Sequence, residues 1–384
     1  MDTTNSPESI PEIPVERNED WDEYTPSRDI DYIQYDGELD RMEHIAKTAT
    51  ETGIIPRFRL TGPSGCGKTL CAEALSRRLD APYFEVQGEF DQKRSSLVGH
   101  PVVLDGSTYW VDKQVVQAMR ASQEQTTVLL YDESNRTRGE AKAVLFPILD
   151  GRVSVRTNRG NEIIEGDPSN LVVVVTTNQG AEYQTQDVGF AEERRYGATF
   201  PIDYLGQEKF DAEVEVVMNQ SNVHEVIARL MVHVAVTVRD RCPQEDSPLS
   251  RPIPTSSVVR WAQTADGYAT TDAPVSNPIV GAARDMIISA LYRNEADAAE
   301  TVRNLVVSHL DEAPVNGDKV TEWASDELFS DDGMVDEDTL DAAGINREMV
   351  DLKNTNSTPN MAGVVKSTTT TPDSEDSSES AQAD

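Results

Sequence analysis

The sequence predicts an α/β fold built on a wound parallel sheet, followed by a small all-α lid domain and flanked by acidic tails. Short apolar runs alternate with helical patterns between residues 31 and 205, as is typical of a wound sheet. Beyond Gln207 the apolar periodicity is helical only, and both ends of the chain are acidic and poor in apolar residues. We therefore predict four regions: a disordered N-terminal segment (1–30), an α/β domain (31–205), a helical lid domain (206–310) and an acidic low-complexity tail (311–384).

The first half of the α/β domain alternates between helices and strands. Apolar residues at helical spacing from Asp36 to Ala49 predict a helix, which Gly53 ends. The next elements in order are a strand at 57–60, a helix at 69–79, a strand at 82–86 and a helix at 91–98.

The second half adds two predicted hairpins and two buried strands. Asp105-Gly106 between apolar runs predicts a hairpin over 102–111, and the pattern at 153–164 predicts another with a basic, exposed tip at 157–160. The continuous apolar runs 126–132 and 171–177 are typical of buried parallel strands. The remaining elements are helices at 113–120 and 141–149, the latter interrupted by Pro147, and a last strand at 198–204.

The composition limits the classes of partner. Asp and Glu number 68 against 34 Lys and Arg, for a formal net charge of −34. This acidity disfavours non-specific binding to nucleic acid or to anionic membranes. Few lysines among many carboxylates resemble the proteins of salt-in halophiles, above all haloarchaea and their viruses, in which strong salt screens self-repulsion. No apolar run reaches about 18 residues and no signal-peptide core is present, so we expect a cytoplasmic protein.

A phosphate-binding loop lies between the first strand and the second helix. The run from Gly62 to Thr69 fits G-x-x-x-x-G-K-[ST], in which glycines let the backbone aim N–H groups at phosphate oxygens. Lys68 would reach the β- and γ-phosphates, and the Thr69 hydroxyl would ligate Mg²⁺. The predicted nucleotide-binding residues are Gly62, Pro63, Ser64, Gly65, Cys66, Gly67, Lys68, Thr69 and Leu70.

Two later strands end in polar side chains that suit hydrolysis. Asp132, after an apolar strand, would hold Mg²⁺, and Glu133 would polarise the attacking water. Asn178 ends the next buried strand, where its amide could orient that water. For each there is a structural alternative: solvated acids and asparagines are common where strands end.

These residues together resemble the AAA+ ATPases, and more narrowly their MoxR/dynein-related branch. The resemblance rests on GPSGCGKT, on Leu97-Val98-Gly99 before the first hairpin, on Asp132-Glu133-Ser134-Asn135-Arg136 and on Asn178 in the position of sensor 1. It implies that Arg195, followed by Tyr196, is an arginine finger that completes a neighbouring subunit's site, with Arg194 as the competing candidate.

The resemblance implies several further properties. Arg260 is the candidate sensor 2, and the alternative for it is an ordinary exposed arginine. The cofactors would be ATP and Mg²⁺, the assembly a homo-oligomeric ring, expected to be a hexamer, and both hairpins would face its central pore. ATP hydrolysis would remodel a protein client, in some relatives together with a von Willebrand A-type partner.

Two other functions stay open at this stage. A nucleic-acid-directed NTPase motor, similar to restriction-associated GTPases that share D-E-x-N-R, is allowed by the basic residues Arg156 and Arg159 but disfavoured by the net charge. A nucleotide-gated scaffold with little turnover is disfavoured by Glu133, the candidate water-activating residue.

Overall fold

The structure is a computed structural model. It describes residues 20–308 except 29, 138, 158–161, 179–193, 243, 245–246, 272 and 276. The predictions for residues 1–19, for the acidic tail beyond 308 and for Arg159 lie outside the described residues.

The core of the α/β domain is a five-stranded parallel sheet in the order β2-β5-β8-β1-β9. This confirms the predicted fold class. Within the described residues the strands, including those of the two hairpins, are β1 Arg57–Gly62, β2 Tyr83–Gln87, β3 Gly99–Leu104, β4 Ser107–Asp112, β5 Thr127–Asp132, β6 Ser154–Arg156, β7 Ile163–Glu165, β8 Leu171–Asn178 and β9 Ala198–Pro201. The last strand ends at Pro201, three residues before the predicted Tyr204, and the N–H of the following Ile202 still donates to the Thr61 carbonyl oxygen at 2.8 Å.

Strand order decides which residues meet. Because all five strands are parallel, their carboxyl ends lie along one edge, and β5 has β2 and β8 as its neighbours. Gln87 pairs with Asp132 in the register, and Gly62 pairs with Asn178. The phosphate loop and the predicted polar strand ends therefore share this edge.

Helices cover both faces of the sheet because the strand residues alternate between two apolar clusters. Leu129 and Tyr131 belong to one cluster, and Val128 and Leu130 to the other. The helices of this domain are Glu38–Lys47, Ala49–Thr52, Lys68–Leu79, Arg94–Val98, Gln114–Ser122, Gly139–Lys142 and Phe146–Leu149, with 3₁₀ turns at Trp21–Tyr24 and Ser134–Arg136.

Two helix predictions differ from the structure. The helix expected over 91–98 begins only at Arg94. The helix expected over 141–149 is two short helices, and Pro147 lies in the first turn of the second, where a missing N–H costs no hydrogen bond.

The prediction of disorder up to residue 30 was wrong for the described part of that segment. Trp21 and Tyr24 pack against Phe84 of the edge strand β2, with ring centroids 6.1 and 4.9 Å from the Phe84 ring. Arg28 pairs with Glu73. The prediction rested on the charged composition of the segment and overlooked these two aromatic side chains.

The two hairpins stand apart from the main sheet. In the β3–β4 hairpin, Val103 is 70% and Leu104 47% exposed, and Ile163 on β7 is 52% exposed. Thr157, predicted to be exposed at the second tip, is buried.

The region after the sheet is helical throughout its described residues. Its helices are Leu205–Glu208, Phe210–Asn219, Glu225–Arg241, Thr255–Thr270, Pro278–Ala283, Ser289–Leu291 and Ala296–Ser308, with a π-helical turn at Arg284–Ile288. They enclose their own apolar core around Trp261, whose indole N–H donates to the Ile279 carbonyl at 2.9 Å. Among the described residues, no helix combines the length and apolar character needed to span a bilayer.

Candidate nucleotide-binding site

The phosphate loop joins β1 to the helix Lys68–Leu79 by a backbone that only glycine suits. Gly65 and Gly67 have φ angles of 71° and 99°, in the left-handed region. A Cβ at Gly62 would lie 1.9 Å from the Ile202 carbonyl oxygen. The loop thus depends on glycine both for its turns and for its close approach to the chain after β9.

Lys68 is the cation of the loop, and it is 5% exposed. Its ammonium donates to the carbonyl oxygens of Gly62 and Pro63 at 3.1 and 2.6 Å. These contacts hold a positive charge directly over the turn, where it can neutralise phosphate oxygens.

Oxygen ligands gather beside the loop at the ends of β5 and β8. The Thr69 hydroxyl donates to Asp132 Oδ2 at 3.0 Å, and the Thr176 hydroxyl donates to Asp132 Oδ1. Asp132 is 8% exposed. Hydroxyl and carboxylate oxygens are hard ligands of the kind Mg²⁺ prefers, so Thr69 and Asp132 fit a magnesium ion.

Glu133 is held by donors from three directions. Its backbone has a left-handed φ of 50°, and its N–H donates to the Thr176 hydroxyl at 2.8 Å. Asn178 Nδ2 donates to Oε1 at 2.7 Å, and Gln87 Nε2 donates to Oε2 at 3.0 Å. Arg136 also pairs with Oε2, at 2.6 Å. The carboxylate is therefore engaged on both oxygens at the edge of the sheet.

Asn135 ties the segment after β5 to β8. Its Nδ2 donates to the Asn178 carbonyl oxygen at 2.9 Å, and its side chain is 4% exposed. This bond fixes Asp132 and Glu133 relative to Asn178, so the predicted polar strand ends form one cluster.

A cavity of about 300 Å³ opens over the loop. The α/β domain contributes loop residues together with Asp132, Glu133 and Asn178, and the helical region contributes Leu205, Val216 and Val259. The third wall is the N-terminal segment at Asp31, Tyr32 and Ile33. Its phosphate end is polar and its other walls are largely apolar, which suits a nucleotide with a planar base.

Tyr32 is anchored by a buried carboxylate. Its hydroxyl donates to Glu38, which is 1% exposed and also accepts the N–H groups of Tyr35 at 3.0 Å and Asp36 at 2.7 Å. Burial raises the pKa of Tyr32 well above its ordinary range, so the ring stays neutral. Its edge lies 3.5 Å from the point where a Gly67 Cβ would stand.

Cys66 lines the same cavity. Its thiol donates to the Ile202 carbonyl oxygen at 3.5 Å, and burial raises its pKa above the ordinary value. The thiol is therefore neutral near pH 7, which is the less nucleophilic form.

The structure does not bring the two predicted arginines to this cavity. Arg195 Nε lies 2.9 Å from Asp150 Oδ1, its guanidinium carbon lies 4.5 Å from the Phe146 ring centroid, and it is not among the cavity-lining residues. Arg260 is exposed on the helix Thr255–Thr270, and its neighbour Val259 lines the cavity instead. Arg194 is exposed as well.

Sequence reasoning missed Gln87, Arg136 as an ion-pair partner, Thr176 and Tyr32. The signal for Thr176 was present in the TTN end of β8, next to Asn178. Gln87 gave no local signal, because its contact with Glu133 depends on β2 being the neighbour of β5.

The sheet is parallel, and a glycine-rich phosphate loop follows β1, with a lysine and a threonine at the start of the next helix. An acidic pair lies at the end of β5, which β8 separates from β1. Together these features define the class of P-loop nucleotide-binding proteins. Within it, residues 58–195 match the family model of the AAA domain (dynein-related subfamily). This stretch is therefore similar to AAA domains, a likeness that supports nucleotide binding. The resemblance noted from the motifs is confirmed at this level.

Three curated relatives cover about half of the chain. Protein CbbQ of Hydrogenophilus thermoluteolus is 27% identical over 202 residues, which are 53% of this chain and 70% of CbbQ. Denitrification regulatory protein NirQ of Pseudomonas aeruginosa is 26% identical over 187 residues, 49% of this chain and 68% of NirQ. Protein NorQ of Paracoccus denitrificans is 27% identical over 180 residues, 47% of this chain and 63% of NorQ.

A crystal structure from Cytophaga hutchinsonii aligns with 71% of this chain and 89% of its own, at 16% identity and a TM-score of 0.36. That likeness is too remote to add to the topology described above.

Proposed function

We propose that the protein is a MoxR-like AAA+ ATPase that binds ATP with Mg²⁺, hydrolyses it in an oligomeric ring, and uses the cycle to remodel or assemble a protein client. The observation that carries the proposal is the convergence of the loop Gly62–Thr69 with Asp132, Glu133 and Asn178 on one edge of the sheet. The AAA domain match and the likeness to CbbQ, NirQ and NorQ support it.

In this proposal the phosphate loop binds the nucleotide, and the polar residues at the strand ends carry out its hydrolysis. The loop N–H groups and Lys68 hold the phosphates, while Thr69 and Asp132 hold the ion. Bound Mg²⁺ would supply charge neutralisation on the β- and γ-phosphate oxygens. Glu133 accepts a proton from the attacking water, and Asn178 orients the carboxylate through its 2.7 Å hydrogen bond.

Ring assembly is the part of the proposed function that requires more than one chain. Arg195 pairs with Asp150 and lies away from the cavity of its own chain. An arginine that acts on a neighbour's nucleotide requires such a position. To act in that way Arg195 would exchange its contact with Asp150 for the neighbour's γ-phosphate. The exposed apolar side chains Val103, Leu104 and Ile163 on the two hairpins are suited to gripping a protein client.

Variants of the loop lysine test nucleotide binding. We expect Lys68→Ala to weaken ATP binding at least tenfold in titration calorimetry, because it removes a buried cation from the phosphates. The control is Lys47→Ala, since Lys47 pairs with Glu43 on an exposed helix face and is not among the cavity-lining residues. Equal affinity in the native chain and Lys68→Ala would refute the assignment of the loop.

A further inference from the structure

The helical region contacts the phosphate loop at two neighbouring carbonyls. The Tyr204 hydroxyl donates to the Ser64 carbonyl oxygen at 2.9 Å, and the Ser256 N–H donates to the Gly65 carbonyl oxygen at 3.3 Å. A Cβ at Gly65 would lie 2.5 Å from Ser256 Oγ and 2.6 Å from Pro254 Cβ. The loop and the start of the helix Thr255–Thr270 therefore touch with no room for a side chain between them.

These two bonds bear on the direction of the loop N–H groups. In a trans peptide the C=O and the following N–H point in opposite directions. When Tyr204 holds the Ser64 oxygen, the Gly65 N–H is directed away from Tyr204, and the bond at Gly65 likewise sets the Cys66 N–H. Gly65 and Cys66 both line the cavity.

Tyr204 is itself fixed from its other side. It is 4% exposed, and the Arg239 guanidinium carbon lies 4.1 Å from its ring centroid. Arg239 donates to both oxygens of Glu213, at 2.7 and 2.8 Å, and its Nε donates to the Ile253 carbonyl oxygen at 2.8 Å. The side chains of Arg239 and Glu213 are 1% and 0% exposed.

Glu213 joins the pieces of the helical region. It accepts the Gly206 N–H at 2.6 Å and the Thr255 hydroxyl at 2.7 Å, in addition to Arg239. Four helices thus meet at one buried ion pair, which we call the Arg239–Glu213 node. A buried ion pair held by several hydrogen bonds resists rearrangement, so we expect the node to move as one unit with its helices.

We propose that Tyr204 is a positioning residue for the nucleotide, which ties the phosphate-loop backbone at Ser64 to the Arg239–Glu213 node. Because of this link, the orientation of the helical region and the direction of the loop N–H groups change together. Nucleotide bound at the loop would hold the helical region in place, and a displaced helical region would weaken the phosphate cradle. The inference rests on the proposed function, because it needs a nucleotide at this loop.

The test compares two matched variants of the full chain. Tyr204→Phe keeps the ring on Arg239 and removes only the hydroxyl that binds Ser64. The control is Tyr292→Phe, which also removes one buried tyrosine hydroxyl, here one that donates to the Arg251 carbonyl oxygen at 2.6 Å inside the helical region. A merely structural role predicts that both variants lower thermal stability alike and leave nucleotide binding alone.

We expect Tyr204→Phe to raise the Kd for ATP about three- to tenfold, the effect of one lost hydrogen bond. It should also reduce the protection from hydrogen exchange that ATP gives to the helices Leu205–Glu208 and Phe210–Asn219. Tyr292→Phe should change neither quantity. Native affinity and native ATP-dependent protection in Tyr204→Phe would overturn the inference and leave the proposed function standing. Failure of the native chain to bind ATP would overturn both, and is seen before any variant is made.

Discussion

At the scale of single residues, the main feature is the restraint on Glu133. A water-activating carboxylate must face the γ-phosphate, but here Asn178, Gln87 and Arg136 occupy its two oxygens. Such bonds hold the carboxylate in place. In the proposed reaction Gln87 and Arg136 would release Oε2 before that oxygen takes a proton, while Asn178 stays on Oε1. The proposed base is thus restrained by contacts within its own chain.

Gln87→Ala tests this restraint. We expect ATP turnover without a client to rise about two- to tenfold, because one hydrogen bond of the order of 0.5–1.5 kcal/mol no longer holds Glu133. A steady-state phosphate-release assay measures it. The control is Gln125→Ala, whose side chain bonds Asp22 at the far end of β5. Unchanged or lower turnover in Gln87→Ala would mean that Gln87 does not restrain the base.

At the scale of single residues, the sequence predicted the polar residues of the site but not all of their contacts. That Lys68, Thr69 and Asp132 lie at one site could be predicted, because each belongs to a short motif at a strand or helix end. Their roles stay predictions. The contact of Gln87 with Glu133 could not be predicted, since it depends on strand order, which local patterns do not encode. Tyr32 lies within the predicted α/β domain but in no predicted element or motif, so nothing in the sequence pointed to its place in the cavity.

At the scale of elements, apolar patterns located the five sheet strands, most clearly β5 and β8, in which every residue is buried. Short helices were predicted poorly. Arg94–Val98 and Phe146–Leu149 have few residues in which a helical period can show, and their limits depend on packing under the hairpins. Aromatic contacts with Phe84 ordered the segment from Trp21 to Tyr24, and composition alone could not reveal a partner so far along the chain.

His233, on the helix Glu225–Arg241, makes the free energy of unfolding depend on pH. Burial lowers the pKa of His233 below its ordinary value of 6.5. The unfolded chain therefore takes up this proton at a higher pH than the folded chain, so the free energy of unfolding falls as the pH drops below about 6.5. The loss levels off once the pH passes below the lowered pKa of the folded state.

We expect the melting temperature to fall less between pH 7 and pH 5.5 in His233→Gln than in the native chain. The carboxylates contribute equally to the fall in melting temperature of the variant and of the native chain, so their effect cancels in the comparison. His100→Gln, on the β3–β4 hairpin, is the control and should match the native chain. A native-like acid shift in His233→Gln would show that burial of this imidazole does not couple to folding.

At the scale of the whole molecule, the α/β domain and the helical region share one cavity and one network of contacts. Tyr32, the phosphate loop and Val259 line that cavity from three parts of the chain. The net charge of −34 makes self-association unfavourable at low ionic strength, so assembly of this chain should strengthen as salt screens the repulsion. The predicted halophilic origin follows the same physical argument and stays a prediction.

The most direct test of the central claim measures ATP turnover and solution mass together, in molar KCl, for the native chain and Glu133→Gln. Glu124→Gln, at an exposed position, is the matched control. We predict that ATP and Mg²⁺ drive native chains into a ring that hydrolyses ATP, and that Glu133→Gln assembles but does not turn over. A native chain that stays monomeric and hydrolyses no ATP would contradict the account.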